Sequence, residues 1–304
     1  MIPRAKRPGL SPRRVEQEAN PCKASQDHFS GLRLSVLTHL RRVAAVAGLL
    51  TALAAPAWAG PRVYSLDQCA DQYVLALSPR ADIVGLSERA RNGDSYLRAQ
   101  VGGLPLHRAT TESTLAARPD VVVREWGGDE RLALALQRRG IAVVQIDEAD
   151  DFVGVRANVR KVAAALGNVA GGEALVRHMD AQLSAAAGAQ KGRGVLYVTP
   201  GGDTAGSGTL VGAMLTAAGF SNLAGSPGYS TLTLEHLVAS PPSAMVLGFF
   251  TDLAAGTQHW TLAGNGRFRA LARRRAVASL PGSILGCPAW FAGDAVASLA
   301  KARN

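Results

Sequence analysis

Two glutamates recur in matching surroundings, one in each half of this 304-residue chain. Glu112, in Thr110-Thr111-Glu112, is followed by Leu115, Pro119 and the apolar run Val121-Val122-Val123. Glu235, in Leu234-Glu235, is followed by Leu237, Pro242 and an apolar run from Ala244, with seven residues from glutamate to proline in both copies. Each unit reads as a short helix running into a buried strand, with the acid near the helix start, where the dipole favours negative charge. Capping alone would explain one such glutamate; with one in each half, capping and a shared contact stand as equal readings. A glycine-rich run, residues 201–209, lies between a predicted strand and a predicted helix, so its backbone N–H groups suit an anionic group. It has neither the lysine and spacing of a P-loop nor a GxGxxG pattern. No nucleotide site is expected there, and the run reads as a tight loop offering Thr204, Ser207 or Thr209 to a ligand's polar edge.

Other chemistry is thinly supported. Beyond residue 59 the histidines are His107, His178, His236 and His259, with no close pair. A bare zinc or manganese site needs several clustered imidazoles or carboxylates, so it stands as a rival reading only. There is no GxSxG, HExxH or CxxC, and Asp150-Asp151 reads as helix-start and loop charge. An exported hydrolase built from scattered residues is the rival from the enzyme class. No catalytic residue, resident metal or cofactor is assigned.

The elements that would position these residues alternate. Strand-length apolar runs at 62–66, 82–87, 121–126 and 142–147 are separated by helix-like stretches at 71–77, 111–117 and 129–139, the last stopped by Gly140. Residues 151–189 form an alanine-rich amphipathic region with Val155, Val159, Val162 and Leu166 at helical spacing and breaks near Gly167 and Gly171-Gly172. The alternation then resumes with a strand at 194–199, a helix at 209–218 and a strand at 244–249. The expected fold is α/β, with two lobes built on mostly parallel sheets. The predicted division is a leader at 1–59, an N-terminal lobe at 60–150, a helical connector at 151–191 and a C-terminal lobe at 192–304.

Apolar residues make up 47% and charged residues 18% of the chain, a globular balance. The net charge of +10 is unevenly placed: residues 1–59 hold nine Lys or Arg against three Asp or Glu. Residues 60–304 are only mildly basic, which does not fit a nucleic-acid partner. Arg33, Arg41 and Arg42 precede an apolar run at 43–55 and then Ala57-Trp58-Ala59, which reads as a signal peptide cleaved after Ala59. The run is too short to span a membrane. The expected product is an exported, periplasmic monomer.

From Pro61 to nearly its C-terminus the chain resembles the periplasmic iron-siderophore and cobalamin binding proteins of ABC importers. The resemblance is carried by Arg62-Val63-Tyr64-Ser65-Leu66, by Leu115-Ala116-Ala117-Arg118-Pro119-Asp120-Val121-Val122 and by Gly140-Ile141-Ala142-Val143. It implies two Rossmann-like lobes joined by a long connecting helix, with a bulky iron chelate or cobalamin held between them and delivered to an inner-membrane permease. It also implies permease docking through one acid per lobe, at Glu112 and Glu235, although Pro241-Pro242-Ser243 departs from the family's Arg-Pro-Asp in the second copy. Trp126, closing a strand before Gly127-Gly128, is similar to a ligand-stacking tryptophan of the family, and Trp290-Phe291 to an aromatic pair at the opposite lip. Tyr64 and Tyr229 are weaker candidates, and Arg124 would suit an anionic chelate, as would Arg89 and Arg91. Cys69 and Cys287 are both expected near the cleft rim, as a bridge tying the lobes or as two independent thiols.

Overall fold

The computed structural model describes residues 60–250 and 261–303. The leader and its cleavage point lie outside the described residues, as does His259. The first lobe opens with β1 (Val63–Ser65), α1 (Gln68–Leu77), β2 (Ile83–Ser87) and β3 (Leu106–His107). It continues with α2 (Thr111–Ala116), β4 (Val121–Arg124), α3 (Glu130–Gln137) and β5 (Ala142–Gln145). The strands form one parallel sheet in the order β3-β2-β1-β4-β5. The first described strand sits at the centre because the chain winds outward from β1 through β2 to β3, then crosses back to lay β4 and β5 on the other side of β1. Val63, Tyr64, Val122 and Val123 are almost wholly buried, as an all-parallel sheet covered on both faces requires.

The connector is two helices. The first, α4 (Phe152–Ala165), is capped by Asp151, whose carboxylate accepts from the Val153 and Gly154 N–H groups. It stops at Gly167, whose φ of 72° is the left-handed geometry a helix stop uses. The long connecting helix is α5 (Val169–Ala186). It folds back along α4, with Arg156 paired to Asp180 at 2.6 Å and Arg160 to Glu173 at 2.7 Å. At its start Asn168 donates to the Leu77 carbonyl at the end of α1; just past its end Gln190 N–H donates to the Ala218 carbonyl. The helix therefore runs from the first lobe to the second.

The second lobe comprises β6 (Gly194–Val198), β7 (Asp203–Ala205), α6 (Leu210–Ala217), β8 (Ser221–Asn222), β9 (Tyr229–Thr231) and α7 (Leu234–Ala239). It ends with β10 (Met245–Gly248), α8 (Gly266–Arg275), β11 (Ala276–Leu280), α9 (Gly282–Leu285) and α10 (Ala292–Ala300). Its parallel sheet has the order β11-β10-β6-β8. The glycine-rich run is not simply a loop: residues 203–205 pair antiparallel with β9 as a separate two-stranded ribbon, Thr204 opposite Ser230. This buries Thr204, and Thr209 is consumed as the α6 N-cap, accepting from Gly212 N–H at 2.9 Å.

The C-terminal stretch reaches back to the first lobe. Cys69 of α1 is disulfide-bonded to Cys287, 218 residues away, and the Tyr73 hydroxyl donates to the Pro288 carbonyl at 2.5 Å. The described residues fall within one compact unit.

Candidate functional site

Open α/β sheets bind ligands beyond the carboxyl ends of their strands, and in the first lobe those ends are organised by two buried aspartates. Asp67, the N-cap of α1, accepts from Ala70 N–H, then also from Glu125 N–H at 2.7 Å and Gly127 N–H at 2.9 Å. Trp126 lies between those two donors, so the Asp67 carboxylate clamps the peptide on both sides of it. Only glycine fits at 127: a Cβ there would collide with the Leu66 carbonyl. Asp71, wholly buried, accepts from Ser65 Oγ, from Ser87 N–H at 2.9 Å and from Ser87 Oγ at 2.5 Å. Ser87 in turn caps the turn that carries Arg89.

These supports converge on one exposed pair. Trp126 is 51% exposed, and the Arg89 guanidinium lies 5.1 Å from the centroid of its ring, a cation–π arrangement. A flat, half-open aromatic face topped by a cation can stack a planar ring system and pair with an acidic substituent on it. Glu125, just behind, is pushed up to about pKa 7, chiefly by burial and then by Asp67 and Glu148. Its Oε2 is buried without a hydrogen-bond partner. Its carboxylate lies within 4.8 Å of both Cys69 and Cys287 sulfurs, but the disulfide leaves no thiolate for a metal.

On the second lobe the exposed candidate is an aromatic of the two-stranded ribbon. Tyr229, on the ribbon, is 64% exposed, and its phenol pKa is raised by partial burial, then by Asp150 and Glu148. Glu148, in the turn after β5, is thus near enough to raise both the Glu125 carboxyl and the Tyr229 phenol. Beside it lies a cavity of about 730 Å³, lined by Asp150, Phe152, Ser207, Thr216, Asn222 and Ser226 among others. That volume is in the usual range for small-molecule sites. Phe249, with φ of 64°, turns the chain out of β10 at the same end of the second sheet.

The remaining sequence candidates fall elsewhere. Trp290 and Phe291 are not a lip: Trp290 packs edge-on against Tyr73 at 5.4 Å, and Phe291 stacks on Tyr96 at 4.3 Å, both buried. Tyr64 is fully buried on the central strand, stacked on His107, with its hydroxyl donating to the Arg108 carbonyl. Thr204 is buried in the ribbon and so does not face a ligand. Arg124 has a largely covered side chain, paired with Glu130 at 3.7 Å and donating to the Gly128 carbonyl, so it braces the Trp126 loop. Ser207, Trp126 and Tyr229 remain accessible. Sequence reasoning missed Asp67, Asp71, Glu125 and Glu148. The available signal for Asp67, Glu125 and Glu148 was that each lies just past the carboxyl end of a strand, whereas Asp71 lies within α1 and carried no such signal.

The repeated glutamates are exposed and geometrically equivalent. Each is the second residue of a six-residue helix, α2 or α7, and each helix is capped by a threonine whose Oγ accepts an N–H at 3.2 Å, from Ser113 and His236 respectively.

Two α/β lobes, each on a parallel sheet and joined by a connecting helix, define the class of two-lobed solute-binding proteins. A family described as periplasmic binding protein matches residues 63–249, and the chain belongs to that family. A cobalamin-binding protein of Halobacterium salinarum is 28% identical over 205 residues, covering 63% of this chain and 54% of that one. The chain therefore spans about half the length of the curated relatives it matches. The apo structure of the periplasmic heme-binding protein RhuT from Roseiflexus sp. RS-1 matches with TM-score 0.62 at 22% identity, over 80% of this chain and 97% of that one. The heme-binding protein BhuT, solved with two hemes, matches with TM-score 0.61 at 26% identity, over 80% and 97%. Among the described residues no helix is long and apolar enough to cross a membrane.

Proposed function

We propose that this chain is the periplasmic solute-binding component of an ABC importer and that its cargo is a large, flat, metal-centred macrocycle of the corrin or porphyrin type. The observation that carries the reading is the half-exposed Trp126 ring under Arg89. A bare metal ion has no use for an aromatic face, whereas a conjugated macrocycle stacks on it and an acidic side arm pairs with the guanidinium. The relatives named for cobalamin and heme support this choice over a bare zinc or manganese ion. The protein holds no cofactor of its own; iron or cobalt arrives as part of the cargo. It acts as an exported monomer that binds without catalysing, then docks on the permease through Glu112 and Glu235.

The test is fluorescence titration of the exported protein with hemin, cyanocobalamin and ferric siderophores. Saturable quenching by a macrocycle is expected, weakened roughly tenfold in Trp126→Ala, a loss of the size aromatic stacking supplies. Unchanged affinity in that variant, or tight binding of zinc or manganese alone, would overturn the reading.

A further inference from the structure

Charge beyond residue 59 is strongly polarised. Residues 261–304 hold seven Lys or Arg against one acid, while residues 60–260 hold seventeen against nineteen. Five of the seven are Arg267, Arg269, Arg273, Arg274 and Arg275, all on the ten-residue α8 and all exposed. None joins the five salt bridges found among the described residues. The negative end of the helix dipole explains the last three, which fill the final turn. It does not explain Arg267 and Arg269, which stand in or next to the first turn, where a cation is disfavoured. Arg269 and Arg273 add a like-charge pair at i,i+4. Among the described residues no acid answers these charges: Arg269 donates to the Gly264 carbonyl at 2.9 Å, and the guanidinium-rich face of the helix is open to an anion from outside.

The flanks of the helix indicate which anion. Toward α7 lies a groove of about 280 Å³, with Leu237, Val238 and Pro241 beside Arg267, Arg274 and Arg275. On the other flank, about 440 Å³ is bounded by Leu247, Phe250 and Phe268 together with Arg269, Arg273 and Arg303. Apolar walls under arginine rims match an amphiphile with a phosphate head, since the guanidinium fork fits phosphate oxygens two at a time. Nucleic acid would leave the apolar walls unused. We propose that α8 and its two flanking grooves are a docking surface for anionic phospholipid headgroups of the membrane. Because α7 also carries Glu235, lipid contact would bring that glutamate to the membrane surface. The lipid contact does not depend on the docking reading.

The experiment is co-sedimentation of the exported protein with vesicles of phosphatidylglycerol and phosphatidylcholine, or of phosphatidylcholine alone, without permease. Binding is expected only to the anionic vesicles and should fall with added salt. Arg273→Gln/Arg274→Gln/Arg275→Gln should weaken it roughly a hundredfold, at about fivefold per arginine near a charged surface. The control Arg131→Gln/Arg138→Gln/Arg139→Gln, which removes equal charge from exposed positions on α3 and just past its end, should leave it nearly unchanged, with both variants matching the parent in melting temperature. No binding to anionic vesicles, or equal loss in both variants, would overturn the proposal. So would arginine-dependent binding that appears only when permease is present in neutral vesicles, which would transfer the surface to an acidic protein partner.

Discussion

At the residue scale, the unusual groups are carboxyls held where carboxylates are costly. Asp71 and Glu125 are each pushed up to about pKa 7, in both cases mainly by burial. A folded-state pKa above the unfolded value means the folded protein holds the proton more tightly. The stabilisation is then fully present below the unfolded pKa, near 4, and is lost as pH rises through about 7. Glu125→Gln should therefore reduce the drop in melting temperature between pH values below and above that range; an undiminished drop would sink the assignment. The same group adjoins Trp126, so affinity for an anionic macrocycle should rise as Glu125 is neutralised on acidification. In Glu125→Gln that pH dependence of the titration should flatten.

At the element scale, function rests on caps and close approaches. Asp67 does two jobs, starting α1 and fixing the Trp126 loop, so the Trp126 ring is placed by a helix cap on another segment. The connecting helix packs tightly because Gly172 faces α4: a Cβ at that position would strike the Ala163 methyl. Gly172→Val should overpack the seam and cost about 1–3 kcal/mol, read as a lower denaturant midpoint with an unchanged slope. A stability within experimental error of the parent would show that α4 and α5 can part without penalty.

At the scale of the molecule, the disulfide closes a loop spanning most of the described chain and joins the first lobe to the segment beyond the second sheet. In the chain-entropy view a loop of this length contributes about 5 kcal/mol. Cys69→Ser/Cys287→Ser should lower the melting temperature strongly, and reduction should lower that of the parent but not of the variant. The docking reading belongs here too, since it needs both lobes at once. Glu112→Ala/Glu235→Ala should abolish uptake in cells while leaving macrocycle titration intact; normal uptake would remove the two glutamates from the permease contact.

Local structure was legible in neighbouring residues. Apolar runs of strand length, glycine stops and acid- or threonine-capped helix starts place β1, β2, β4, β5, β6 and β10 to within a few residues, because backbone preference and period are written in neighbouring side chains. The paired glutamates were legible for the same reason: each sits in a helix start that its own threonine cap defines. Which aromatics see solvent is settled by long-range packing. Trp126 is held at the edge of the sheet because Asp67 and Gly127 pin the peptides on either side of it against the residues just past β1, and its ring is left half exposed. Trp290, equally prominent in the sequence, is covered by Tyr73, more than two hundred residues earlier. Thr204 went from expected loop to buried strand because its partner, Ser230, lies far along the chain. Exposure, pairing and raised carboxyl pKa values depend on groups brought together only by packing, and no spacing along the chain encodes them.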